Sequence, residues 1–126
     1  MARVVHFEVH ADNPERAVAF YEKVFGWRFQ HIAEIDYWMV TTGEGLGIDG
    51  GLLRRRGARP TDGQAVNAFV CTLGVDDVDR GVAAATEAGA RIAVPKMAIP
   101  NIGYVAYLHD TEGNIFGIYH EDPKAA

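Results

Sequence analysis

The chain repeats itself. Tyr37, Ile48 and Gly50 recur as Tyr104, Ile115 and Gly117, each 67 positions later, inside segments that share a hydrophobic pattern. Ahead of each lies a strand-then-helix segment, His6 to Gly26 and Val70 to Gly89, related by a shift of 64. Each half is too short to bury a sizeable core alone, so the two copies are expected to share one structure with a cleft between them.

Periodicity assigns the elements of each copy. Val4 to His10 alternates Val5, Phe7 and Val9 against His6, Glu8 and His10, the period of two of a strand with unlike faces. Asn13 is placed to cap a helix with Pro14 in its first turn, a stripe of Ala17, Phe20, Tyr21 and Val24, and Gly26 at its end. Three strand-like runs follow, near 27–32, 37–42 and 48–54, and residues from about 55 to 66 read as a linker. The second copy has a strand over Ala68 to Val75, and a helix capped by Asp76 with Val78, Val82 and Ala85 on its buried stripe. Strands near 91–94, 104–109 and 115–120 complete it. The stretch Pro95 to Gly103 holds two prolines and reads as a loop or lid. The expectation is an α+β fold over 1–126: two βαβββ repeats, 3–54 and 67–120, forming a curled mixed sheet around a central cleft, with helices on the outer face.

Composition excludes several function classes. A formal charge of −5 and a pI near 5.4 argue against nucleic-acid binding. Arg54, Arg55, Arg56 and Arg59 form the one basic cluster, and it has no interleaved aromatics to stack on bases. No apolar run approaches the roughly 20 residues of a membrane helix. No charged-then-apolar leader precedes the first strand, so a cytoplasmic location is expected. The single Cys71 excludes an intrachain disulfide and reads as a small core residue.

The order of elements, with Asp12-Asn13-Pro14-Glu15-Arg16-Ala17-Val18-Ala19-Phe20-Tyr21 and Val24-Phe25-Gly26-Trp27, resembles the glyoxalase/bleomycin resistance/extradiol dioxygenase proteins, the vicinal oxygen chelate superfamily. Gly50-Gly51-Leu52, Val75-Asp76-Asp77-Val78 and Asp110-Thr111-Glu112-Gly113-Asn114-Ile115-Phe116-Gly117 extend the resemblance along the chain. It implies a cavity between paired units and a homodimer. It also implies, in the metal-dependent members such as lactoylglutathione lyase, a divalent metal held from the first and last strand of each unit. Those places fall at His6, Gly50, Val70 and Gly117, of which only His6 can coordinate. A catalytic metal needs about three protein ligands, so no metal or other cofactor is expected, a weakly held divalent ion being the lesser alternative.

The remaining candidates lie on strand faces. His6, Glu8 and His10 stand about 6.6–7 Å apart along one face. They read as a buried polar network, as an acid/base set with Glu8 as base, or as ligand-recognition groups. Trp38 and Tyr104 are candidates to line an apolar pocket, Lys96 to meet an anionic group, and Gly50 and Gly117 to admit a ligand or the opposite backbone. The string from Asp110 to Asn114 reads as a structural turn. The functional expectation is a protein that binds a small organic molecule. Its rivals are a lyase, isomerase or dioxygenase-type enzyme using Glu8, His6 and His10, and an interaction module with no chemistry of its own.

Overall fold

A computed structural model describes all 126 residues and shows an α+β chain with two compact units, Met1–Arg59 and Pro60–Ala126. The first holds β1 (Phe7–Ala11), α1 (Pro14–Phe25), β2 (Arg28–Ile32), a single 3₁₀ turn (Ala33–Ile35), β3 (Tyr37–Thr41) and β4 (Gly50–Arg54). The second holds β5 (Thr72–Gly74), α2 (Val78–Glu87), β6 (Arg91–Ile99), β7 (Gly103–His109) and β8 (Ile115–Glu121). Each unit has one four-stranded mixed sheet, ordered β1-β4-β3-β2 and β5-β8-β7-β6, in which the first and last strands pair in parallel.

Local chemistry sets the first unit's frame. Asn13 accepts from the Arg16 amide at 3.1 Å and so caps α1, Pro14 fills the first turn, and Gly26 ends the helix at φ 71°. Ala17, Phe20 and Tyr21 turn inward. Tyr21 stacks on Trp27 at 4.7 Å and Phe7 leans on the same indole at 5.4 Å. With Val9, Ala11, Trp38, Val40 and Leu52 they make the core on the helix side of the sheet. Successive strand residues alternate faces, so Glu8, Gly51 and Met39, which lie side by side in register, share the opposite face. That face is open: Glu8 and Met39 are exposed.

The second unit follows the same plan. Ala106, Leu108, Phe116 and Ile118 are buried on the helix side with Val78 and Ala85 of α2. The Asp110 turn is structural, as expected: its Oδ1 accepts from the Glu112 and Asn114 amides at 2.8 and 2.9 Å.

Several expectations are corrected. The first strand begins at Phe7, leaving Val4 and Val5 exposed at 70% and 77%. The second repeat's first strand shrinks to Thr72–Gly74, so Cys71 is exposed and not a core residue. Asp77, not Asp76, caps α2, accepting from the Arg80 amide at 3.0 Å. Residues 95–99 are not a lid: β6 continues through Pro95, and the ladder is irregular between Val94 and Met97. An edge strand can carry proline there because its outer N–H groups have no partner to lose.

The two adjacent glycines of β4 test the face assignment. A Cβ on Gly50 would strike the Phe7 carbonyl oxygen and ring, whereas one on Gly51 would meet only the distal end of the Tyr37 side chain. Gly50→Ala is therefore expected to cost about 1–3 kcal/mol, and Gly51→Ala distinctly less, since a side-chain end can move and a paired backbone cannot. Urea unfolding of the two variants measures this, and a larger loss for Gly51→Ala would contradict it.

Candidate functional site

The open face of the first unit concentrates polar side chains at β1. Tyr37 begins β3 and reaches across Gly51, whose missing side chain leaves room for the phenol. Its hydroxyl lies 3.1 Å from Glu8 Oε2 and 2.8 Å from His6 Nε2. An ionised carboxylate only accepts, so Tyr37 donates to Glu8, and the hydroxyl oxygen accepts from His6 Nε2–H. The bonds thus run in one direction, His6 to Tyr37 to Glu8. On the far side of Glu8, His10 Nε2 stands 3.8 Å from Oε1.

Two supports hold this row in place. Asp36, at φ 48° just before Tyr37, binds the Arg54 Nε at 2.7 Å and His31 Nε2 at 3.1 Å. The bond to His31 and then that to Arg54 hold its carboxyl below the usual carboxylate range, against a smaller opposing effect of burial. At the other end of β1, Arg55 donates from Nε to Asp12 at 3.0 Å and from Nη2 to the His10 carbonyl at 3.1 Å. Arg59 pairs with the same Asp12 at 3.6 Å. Three of the four clustered arginines are therefore tied to acids of their own unit.

The sequence-predicted residues separate by face. His6, Glu8 and His10 come together as an exposed row, not as a buried network. Trp38 lies on the helix side, only 6% exposed, stacked on His31 at 4.1 Å with Arg54 at 5.8 Å from its ring. Gly50 also points to the helix side, against Phe7, and Gly51 is the glycine beside Glu8. In the second unit, Lys96 binds Asp79 of α2 at 2.9 Å and sits 4.4 Å from the Tyr104 ring. Tyr104 in turn neighbours His120, whose Nδ1 accepts from the Val78 amide at 2.8 Å. Lys96 and Tyr104 thus belong to the helix side. Gly117 does face the open side, between Thr72 Oγ1 and the Tyr107 ring.

Tyr37 was legible only through parity. Trp38 and Val40 alternate with Tyr37, Met39 and Thr41, and an apolar pair on one parity marks the buried face. The spacing of 67 misleads here, because Tyr37 lies on the open face and Tyr104 on the helix face. In register, Glu8 with Gly51 corresponds to Thr72 with Gly117.

Comparison with known proteins places this architecture. Residues 3–43 match the family model described as bleomycin resistance protein-like N-terminal. A glyoxalase family protein from Bacillus cereus superposes with a TM-score of 0.77 at 17% identity, over 96% of this chain and 95% of that one. The chain has the glyoxalase/bleomycin resistance/dioxygenase fold. Also of this fold is the fosfomycin resistance protein FosX of Listeria monocytogenes, solved in a mutant form with manganese(II) and a dihydroxypropylphosphonic acid (TM-score 0.71, 11% identity, 94% of this chain and 90% of that one). In sequence, CFP32 of Mycobacterium bovis, which carries a provisional glyoxylase name, is 29% identical over 120 residues. The match takes in 93% of this chain but 43% of CFP32, so the chain spans less than half the length of that relative.

The metal site of the fold's metal-dependent members does not fit these residues. On the first unit's open face His6 is one donor, already bonded through Nε2 to Tyr37, while Gly50 carries no donor and points to the helix side, and the phenol fills the space above its neighbour Gly51. In the second unit the corresponding floor is Gly117. No three His, Cys, Asp or Glu side chains are grouped to hold a metal ion.

The Tyr37 phenol itself provides a test. Burial, followed by the hydrogen bond to Glu8 and that carboxylate's charge, holds it above the ordinary phenol range. Because the folded state favours the protonated phenol, the stability from this contact is full below about pH 10, the unfolded value, and is lost as pH rises through the higher folded value. In alkaline titration followed by phenolate absorbance, Tyr37→Phe is expected to remove a late-ionising tyrosine and Glu8→Gln to bring that step earlier. Removal of an ordinary step by Tyr37→Phe would contradict the hydrogen-bond assignment.

Proposed function

We propose that this protein binds a small organic molecule on the open face of its first unit, around Glu8, Tyr37 and His6, without the metal used by metal-dependent relatives. The observation that carries the reading is the Tyr37 hydroxyl bridging His6 and Glu8 above Gly51. It orients three polar groups on an exposed sheet face and leaves His6 Nε2 engaged rather than available to a metal. Binding sites typically combine a few placed polar groups with apolar contacts, and here Met39 and Leu53 supply the latter on the same face. The phosphonic acid bound by the Listeria protein is an example of a small organic ligand on this fold.

The direction of the hydrogen bonds favours a catalytic second reading. A proton accepted at His6 Nδ1 would leave the imidazolium joined through Tyr37 to the Glu8 carboxylate, an arrangement suited to general-base work. In that case Tyr37→Phe and Glu8→Gln would each lower turnover while leaving much of the ligand affinity, whereas a pure binder has no turnover to lose.

Two measurements test the main reading. Added Ni²⁺, Zn²⁺, Mn²⁺ or Fe²⁺ is expected to leave the melting temperature unchanged apart from weak surface binding. Retention of one metal per chain, abolished by His6→Ala, would sink the metal-free part. In a small-molecule library screened by amide NMR, hits are expected to shift Glu8, Tyr37 and Gly51. A library that moves none of these amides would sink the binding part.

A further inference from the structure

Resting on that reading, we propose that the ligand presents a cationic hydrogen-bond donor, an amine, amidine or guanidine, to Glu8. The argument begins with what the site has left to offer. Tyr37 spends its hydrogen on Glu8 Oε2, and its oxygen takes the hydrogen of His6 Nε2. With the neutral His6 ring protonated at Nε2, its Nδ1 is an acceptor. Glu8 Oε1 is an acceptor as well, on a side chain 45% exposed. His6 and Glu8 therefore turn acceptors to solvent, His10 beside Oε1 being the one other member of the row with a ring N–H, and a ligand that reaches Glu8 must bring a donor.

Charge points the same way. Three of the four arginines at and beyond the end of β4 are already paired, Arg54 with Asp36, and Arg55 and Arg59 with Asp12. Arg28 stands on β2, at the opposite edge of the sheet from β1. An anionic ligand group would meet the Glu8 carboxylate with those three guanidiniums already engaged, while a cationic donor would complete the carboxylate with a charge-assisted bond. Beside Glu8 in register, beyond the Gly51 floor, Met39 is 46% exposed. The class that fits both features is a cationic head joined to a short apolar body.

Benzamidine, benzamide and benzoate share a ring and differ in charge, so they separate the alternatives. Each is titrated into the ¹⁵N-labelled full chain and into Glu8→Gln, whose exposed site lets the fold persist, as amide dispersion verifies. Benzamidine is expected to shift the Glu8, Gly51, Tyr37 and Met39 amides more strongly than the other two. Glu8→Gln is expected to weaken it by about three- to tenfold, the range for a half-exposed charged pair, and added salt to weaken it further. Benzamide or benzoate binding this face as tightly as benzamidine overturns the ligand class and leaves the binding reading standing. Benzamidine failing to move these amides overturns the class too, and the library screen then decides whether the binding reading survives.

Discussion

Each unit is closed by a parallel pairing between its first and last strands, and the rest of the architecture depends on that contact. A parallel pair cannot be joined by a tight turn, so the chain must cross over, and it does so through a helix and two further strands. The helix packs on one face of the sheet, which commits that face to apolar residues. Phe7 against Gly50 shows how close the pairing is, since a single added carbon would meet the neighbouring backbone. Glycine at the start of β4 is required by the ladder.

The face left open is where the two repeats part company. In the first unit Glu8 is beside Gly51 with the Tyr37 phenol overhead, whereas in the second Thr72 is beside Gly117 next to Tyr107. One repeat carries a carboxylate, a phenol and an imidazole in a directed series, and the other carries Thr72 and Tyr107 beside its glycine, with His109 further along the same face. Duplication preserved the frame and let the side chains on this face diverge. The unit charges differ as well: the acids and bases of 1–59 balance, and the net −5 resides in 60–126. The Glu8 row therefore sits in a unit of zero formal net charge.

Much of the fold could be read from local pattern. The α1 boundaries follow from Asn13, Pro14 and Gly26, and the parity of Val9 and Glu8 correctly opposes a core face to a polar face. The failures have physical causes. Pro95 signals a break only where its missing N–H would leave a neighbour unpaired, and an edge strand has none to leave. Lys96 seemed available to an anion because nothing in the sequence brings Asp79 near it. Packing of α2 against the sheet does so, and the resulting bond, opposed by burial, raises the Lys96 ammonium pKa.

The amino-acid sequence by itself determined the repeated strand-helix-three-strand plan, its glyoxalase-like family resemblance and the placing of His6, Glu8 and His10 on one face. These follow from periodicity, capping and residue identity, which act over a few neighbours. Only the tertiary structure decided that Tyr37 joins them while Trp38, Tyr104 and Lys96 turn to the helix side, and that Gly51 is the floor beneath the phenol. Those outcomes depend on strand register, and a shift of one residue in register exchanges every side chain between faces. The repeat spacing of 67 matched residue types, but hydrogen-bonded pairing, not spacing, selects the partners that meet.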